Sequence, residues 1–150
     1  MISYEINCDT LALIPVSSNE TRIIERNNRF NVYKPAIEII EDSCSYFGSS
    51  YLGRHEGTKK LIGVTHKAPI IIEESRNLIY FPTCSPRLDT CCWIGLNSIK
   101  NYENNNGNTE LLFSNDKKIS IPISYGSFDN QYLRATKLEA MLRKRIDATN

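Results

Sequence analysis

The stretch Ser127–Ile146, SFDNQYLRATKLEAMLRKRI, carries the clearest secondary-structure signal in the 150-residue chain. Its apolar residues recur every three or four positions, which is the period of an amphipathic α-helix. The hydroxyl of Ser127 can cap the first turn, so the pattern predicts a helix over residues 128–146. Its apolar face comprises Phe128, Tyr132, Ala135, Leu138, Leu142 and Ile146, and its opposite face comprises Arg134, Lys137 and Lys144.

Such a helix must pack its apolar stripe on another element, and the rest of the chain supplies strands. Short runs rich in Ile, Val and aromatic residues alternate with turn residues. Asn106 and Gly107 tolerate positive φ angles, so they are predicted to form a hairpin turn. We predict a pair of strands at residues 2–7 and 10–15, a hairpin within residues 22–33 with its turn at Asn27 and Asn28, and strands at residues 60–65, 69–73, 78–82, 92–102 and 109–113.

Two further segments complete the predicted fold. Ile119, Ile121 and Ile123 alternate with other residues, which indicates a strand with one buried face, and Pro122 places that strand at a sheet edge or bulge. Residues 36–47 favour a short helix, although their isoleucines leave a strand open. Together the elements predict an α+β fold in one domain, residues 1–150, with a strand-rich antiparallel sheet core, one short helix candidate and a long C-terminal amphipathic helix.

The composition is that of an intracellular globular protein. Hydrophobic residues make up 41% and charged residues 23% of the chain. No run approaches the ~20 apolar residues of a membrane span, and residues 1–7 lack the pattern of a secretory signal. We therefore expect a cytoplasmic protein with no membrane partner. Its five cysteines, an odd number without framework spacing, favour reduced thiols over disulfides.

The charge is unevenly distributed along the chain. The formal net charge is +1, but residues 1–50 carry −3, residues 51–100 carry +3 and residues 134–146 carry +4. An uneven field of this kind can attract a polyanion even though the whole chain is nearly neutral. The acidic first third is therefore expected to serve the core or self-association.

Two basic segments are candidate binding sites. Residues 48–60 combine three glycines, hydroxyl side chains and the cations Arg54, Lys59 and Lys60, a composition typical of a loop that contacts phosphates. The alternative is a solvated surface turn. The cationic face of the C-terminal helix has the same alternative, because such cations also complement the helix macrodipole.

The sequence offers little support for metal or catalytic chemistry. Cys84, Cys91 and Cys92 lack the paired spacing of a zinc site, so we expect no metal, and no cofactor motif occurs. No catalytic motif occurs either, so no catalytic residues and no enzymatic activity are expected. A thiol enzyme or redox sensor built on these three cysteines remains the alternative from another class.

Several motifs resemble the competence transcription factor ComK family, in the same order along the chain. The longest is Ser43–Thr58, SCSYFGSSYLGRHEGT, and a weaker match covers Ser3–Pro15. The shorter ones are His66–Ile70 (HKAPI), Phe81–Thr83 (FPT), Cys92–Ile94 (CWI), Phe113–Asn115 (FSN) and Pro122–Gln131 (PISYGSFDNQ).

The resemblance implies a sequence-specific DNA-binding activator of DNA-uptake genes, located at the nucleoid. The family binds paired A/T-rich boxes as dimers or higher homo-oligomers. A/T tracts have narrow, electronegative minor grooves that attract Arg and Lys. We therefore predict a first set of DNA contacts at Arg54, Lys59, Lys60 and Lys67, with Arg54 inserted into the groove, and a second set at Arg134, Lys137 and Lys144.

Further partners follow from the resemblance alone. RNA polymerase is one, and an adaptor for regulated proteolysis is another. Some family members extend well beyond the position of Ile146, and their tail carries signals that the adaptor reads. Tail-dependent recognition is not expected for a chain that stops at Asn150. A partner protein that no longer binds DNA is the remaining alternative.

Overall fold

The computed structural model describes residues 1–149 and contains two antiparallel sheets. The strands of the larger sheet are β1 (Thr10–Ser17), β2 (Glu20–Glu25), β3 (Arg29–Val32), β4 (Ile70–Glu73), β5 (Leu78–Pro82) and β6 (Trp93–Gly95). Their order across the sheet is β3-β2-β1-β6-β5-β4. The smaller has the order β7-β8-β9, with β7 (Ile99–Asn105), β8 (Asn108–Phe113) and β9 (Lys118–Ile121). The helices are α1 (Ala36–Tyr46), α2 (Tyr51–Ile62) and α3 (Tyr125–Ala148), and a 3₁₀ helix covers Leu96–Ser98.

Both faces of the larger sheet are buried, because consecutive strand residues point to opposite sides. Leu13 and Trp93 belong to a core cluster that includes α1. Their neighbours Ala12 and Ile94 belong to a second cluster that includes α3 and the smaller sheet. The larger sheet is thus the middle of three layers, with α1 on one side and α3 with the smaller sheet on the other.

Helix α2 covers the β4 edge of the larger sheet. The hydroxyl of Thr58, which is fully buried, donates to the carbonyl oxygen of Pro69 at 2.6 Å, just before β4 begins. Tyr51, at the start of α2, packs against the α1 cluster, whereas Leu61 and Ile62, at its end, pack against the α3 cluster. The helix therefore passes from one face of the sheet to the other and protects an edge that would otherwise expose unpaired backbone groups.

The predicted fold class is confirmed, and so are several of its elements. The hairpin predicted within residues 22–33 is β2–β3, which begins two residues earlier at Glu20, and residues 36–47 contain α1. Asn106 and Gly107 join β7 to β8 with φ angles of 52° and 88°. On α3, Phe128, Ala135 and Leu138 are fully buried, and Tyr132, Leu142 and Ile146 are half-buried, as the helical pattern predicts.

The predicted strand at residues 2–7 is wrong. This segment joins neither sheet, and β1 pairs with β2 and β6. Tyr4 and Ile6 are nevertheless buried, and the backbone N–H of Ile6 donates to the hydroxyl of Ser43 on α1 at 3.0 Å. Every second residue is buried here because an irregular segment packs on α1. This burial pattern has the same two-residue period as that of a half-buried strand.

The predictions of a loop at residues 48–60 and of a strand at residues 60–65 are also wrong, because α2 occupies most of this region. The hydroxyl of Ser50 caps the helix by accepting from the N–H of Gly53 at 3.0 Å. Gly63, with a φ of 72°, ends it in the left-handed conformation. Glycines inside the helix interrupt its apolar period in the sequence. The composition of this segment therefore resembles that of a loop, although the segment folds as a helix.

Two element boundaries also differ from the prediction. Helix α3 begins at Tyr125, and its N-cap is Ser124 in place of Ser127, because the hydroxyl of Ser124 accepts from the N–H of Ser127. The run at residues 92–102 is not one strand: the 3₁₀ helix divides it between the two sheets. Pro122 follows directly after β9, which is an edge strand.

Candidate nucleic-acid interface

The loop between α2 and β4 is held against the first half of α3. The side-chain amide of Gln131, which is 2% exposed, donates to the carbonyl oxygens of Lys67 and Pro82, each at 2.8 Å. Nη1 of Arg134 donates to the carbonyl oxygen of His66 at 3.0 Å. These bonds place Lys67, from the first predicted set of contacts, beside Arg134, from the second.

The backbone of Lys67 has an uncommon conformation that fits this arrangement. Its φ angle is 52°, in the left-handed region that non-glycine residues seldom adopt. The carbonyl of Lys67 is bonded to α3, while the residue itself is exposed. The loop therefore presents a cation to solvent at a position fixed by a buried side chain.

The last turn of α2 brings two further lysines to the same side of the larger sheet. Leu61 and Ile62 pack in the core cluster that also contains Tyr132 of α3. Lys59 and Lys60 belong to that turn and are exposed. They also complement the negative end of the α2 macrodipole, so their positions have a structural reason as well as the predicted binding role.

The remaining two residues of the second set lie on the outer face of α3. Lys137 and Lys144 are both exposed, and they fall on the face opposite the buried Phe128 and Ala135. Seven residues of α-helix separate them, which is about 10 Å along the axis. This spacing allows both ammonium groups to reach phosphates along one strand of a duplex.

We define the basic surface as Lys59, Lys60, Lys67, Arg134, Lys137 and Lys144. Five ion pairs occur within residues 1–149, and none includes a residue of the basic surface. Within residues 1–149, no carboxylate forms an ion pair of 4.0 Å or less with these six cations. Uncompensated cations are the groups that exchange counterions for phosphates when a protein binds DNA.

Arg54 occupies a different environment from the other predicted contacts. Its Nη1 lies 2.8 Å from Oε2 of Glu74, in the turn between β4 and β5, and its side chain is only 21% exposed. Among residues 1–149, its buried Nε has no hydrogen-bond partner. The guanidinium has to leave Glu74 to enter a DNA groove. The ion pair with Glu74 therefore competes with the predicted insertion.

The structure also reveals residues that the sequence reasoning missed. Arg143 belongs to the fold, since it donates to the side chain of Asn77 and to the carbonyl oxygen of Glu74. Arg87 is exposed and lines a groove together with Lys67. Residues of α1, α2, the α2–β4 loop and the segment after β5 line this groove, so no local motif could have revealed it.

The buried thiols lie in surroundings that disfavour catalysis. Sγ of Cys91 lies 3.4 Å from the carbonyl oxygen of Cys84. Burial raises the pKa of Cys91 to about 12 and that of Cys92 to about 11, so both thiols are protonated at neutral pH. The nucleophile and metal ligand is the thiolate. Residues 1–149 contain no cluster of three His, Cys, Asp or Glu side chains arranged to hold a metal ion.

Comparison with known proteins gives one family and one curated relative. Residues 1–147 match the family model described as "ComK protein". A protein of Bacillus subtilis (strain 168) named "Competence transcription factor" is 38% identical over 149 residues, which cover 97% of this chain and 78% of the relative. No solved structure matches the chain. Among the helices of residues 1–149, none has the length and apolar character needed to cross a membrane.

Proposed function

This chain belongs to the ComK family, and on that premise we propose that it is a DNA-binding transcription activator that contacts A/T-rich promoter boxes through its basic surface and switches on DNA-uptake genes. The relative named "Competence transcription factor" supports the regulatory part of this proposal. Among the structural observations, the contact between α3 and the α2–β4 loop supports the DNA-binding part most strongly.

That contact matters because neither basic segment is sufficient by itself. A short cationic turn or a charged helix face is usually just solvated. Here the Gln131 and Arg134 bonds to the loop put Lys67 next to the cations of α3, on the side of the sheet where α2 ends. Several unpaired cations on one surface can release several counterions from DNA, which provides sequence-independent affinity.

Preference for A/T-rich DNA follows from the shape of the minor groove. A/T tracts have a narrow minor groove whose negative potential is stronger than that of G/C-rich DNA. The hydrogen-bonding pattern in that groove distinguishes A/T from G/C but little else. A protein with a few cations that fit the narrow groove therefore selects for A/T content and groove width without reading individual base pairs.

The remaining partners belong to the same proposal. Paired boxes require two protomers at a fixed spacing, so we expect a homodimer or higher homo-oligomer on the promoter. Activation requires contact with RNA polymerase, and an adaptor controls the level of the protein by proteolysis. The protein acts at the nucleoid, where its operators are.

The proposal is tested by titrating the protein onto two fluorescent duplexes of equal length, one A/T-rich and one G/C-rich, at several salt concentrations. We expect tighter binding to the A/T-rich duplex and a steep loss of affinity with salt on both. Equal affinity for the two duplexes would remove the A/T-box part of the proposal. If neither duplex shows salt-sensitive binding, the proposed DNA-binding role is wrong, and only the family assignment stands.

A further inference from the structure

A groove with a cationic end and an apolar wall lies beside the basic surface. It has a volume of about 520 Å³ and lies between the first half of α2, the α2–β4 loop and the segment that follows β5. The residues that define it are Ile37, Tyr51, Leu52, His55, Lys67 and Arg87. We refer to it as the cationic groove.

The polar part of the cationic groove is positively charged and lacks compensation. Neither Lys67 nor Arg87 takes part in an ion pair within residues 1–149, and the groove lining includes no carboxylate. Both histidines of the chain, His55 and His66, also line it. Nε2 of His55 lies 2.8 Å from the carbonyl oxygen of Thr65, which fixes the imidazole in the wall. Such an arrangement suits a phosphate group.

The apolar wall of the groove suits an aromatic ring. Tyr51 is half-buried, and its ring centroid lies 6.1 Å from that of His55. The neighbouring Leu52 is 77% exposed and lines the groove, so its side chain offers apolar surface to a ligand. Ile37 of α1 completes the apolar wall.

The size and concavity of the groove point to a small ligand. A volume of 520 Å³ lies within the range of roughly 300–1,000 Å³ typical of small-molecule sites. The phosphates of a duplex, in contrast, lie along a convex surface and are reached by exposed side chains. We infer that the cationic groove binds a nucleoside 5′-monophosphate, with its base against Tyr51 and Leu52 and its phosphate between Lys67 and Arg87.

One consequence concerns regulation and rests on the proposed function. Lys67 belongs both to the cationic groove and to the basic surface. A bound nucleotide neutralises its charge and occupies the space next to it, so the nucleotide and the duplex compete for the protein. The DNA-binding affinity of the chain then falls as the nucleotide concentration rises.

The test is isothermal titration of the full chain with AMP and GMP, alongside adenosine and inorganic phosphate as separate probes. We expect saturable binding of at least one monophosphate at one site per chain. Adenosine and inorganic phosphate should each bind at least about tenfold more weakly than the monophosphate, because each lacks half of the contacts. Arg87→Ala, and separately Leu52→Glu, should weaken monophosphate binding by about tenfold or more. Both residues are exposed, so the variants are expected to fold.

Lys100→Ala is the matched control, because Lys100 is an exposed cation on β7 of the smaller sheet and does not line the groove. Failure of both monophosphates to bind, or wild-type binding by Arg87→Ala, overturns the inference. If AMP and GMP do not bind while Arg87→Ala lowers the salt dependence of duplex binding, the groove is a DNA contact and the inference is wrong. Duplex binding by the wild type is measured separately, so failure of the groove and failure of the proposed function are distinguishable.

Discussion

The side-chain amide of Gln131 donates to the carbonyl oxygen of Lys67 at 2.8 Å, although 64 positions separate the two residues in sequence. The same amide nitrogen donates to the carbonyl oxygen of Pro82. A buried glutamine on α3 therefore fixes a surface cation of the α2–β4 loop. The stability of the fold and the geometry of the proposed DNA contact depend on the same side chain.

Replacing Gln131 by Ala leaves two carbonyl oxygens without their partner. We expect the free energy of unfolding to fall by about 1–3 kcal/mol, measured by urea denaturation. Duplex affinity should also fall under conditions in which the variant is fully folded, because Lys67 is no longer held beside Arg134. Asn130→Ala, an exposed neighbour on α3, is the control. Equal duplex affinity for both variants would show that the loop position does not matter for DNA binding.

The double variant Lys59→Ala/Lys60→Ala removes two exposed cations from the end of α2. We expect weaker binding to A/T-rich and G/C-rich duplexes alike, and a slope of log affinity against log salt reduced by about two. The control removes Lys100 and Lys118, which pair with Asp116 and Glu110 outside the basic surface. An unchanged slope in the first variant, or an equal change in the control, contradicts the assignment.

Arg54 and Glu74 offer a test of groove insertion. If the guanidinium leaves Glu74 to enter the minor groove, Arg54→Ala lowers the ratio of A/T to G/C affinity. Glu74→Gln then raises the affinity for A/T-rich DNA, because it weakens the competing ion pair of 2.8 Å. Both are measured by duplex titration. A ratio that stays at the wild-type value in Arg54→Ala assigns this arginine to the fold alone.

The N-cap of α3 can be checked by two serine substitutions. The hydroxyl of Ser124 accepts from the N–H of Ser127, so Ser124→Ala should cost about 1 kcal/mol of stability. Ser127→Ala removes an exposed hydroxyl of the first helical turn whose one side-chain partner within residues 1–149 is Ser124, so a smaller loss is expected. Thermal denaturation of the two variants compares them, and the reverse order would restore Ser127 as the cap.

The buried thiols predict a loss of stability at high pH. Burial raises the pKa of Cys44 and of Cys92 to about 11, from an ordinary value of 9.0. The unfolded chain therefore releases these protons first, so their stabilising contribution is complete below about pH 9 and disappears as the pH rises through about 11. For Cys92 the loss of stability over that window is about 2.7 kcal/mol.

Cys92→Ala should accordingly make the stability less dependent on pH between 9 and 11, even if the cavity it leaves lowers the stability at every pH. Cys8→Ala, which removes an exposed thiol, is the control. Unfolding by urea at a series of pH values measures both. The same pH slope in the two variants would refute the role assigned to burial.

The sequence predicted the elements whose patterns are local. The stripe from Phe128 to Leu142 and the turn at Asn106 and Gly107 depend on periodicity and on positive φ angles, which neighbouring residues determine. Helix α2 was not predicted, because Gly53 and Gly57 interrupt its pattern of apolar residues. It also packs across a sheet edge with only Thr58 fully buried, so it lacks a continuous apolar stripe. Its burial depends on tertiary contacts that no short window contains.

The candidate site shows the same division. Lys59 and Lys60 could be identified as candidate contacts from the local composition, and Lys137 from charge and helical periodicity. The pairing of Arg54 with Glu74, and the groove that Lys67 shares with Arg87, join segments about 20 residues apart in each case. Only the folded chain brings these groups together, so a sequence-based argument could not separate structural arginines from available ones.

The central claim is that cations from α2, the α2–β4 loop and α3 contact DNA as one surface. Chemical acetylation of lysines, read by mass spectrometry with and without a bound A/T-rich duplex, tests it most directly. We expect protection of Lys59, Lys60, Lys67, Lys137 and Lys144, with Lys100, Lys117 and Lys118 modified equally in both states. Protection confined to one helix, or centred on the lysines of the smaller sheet, would contradict the claim.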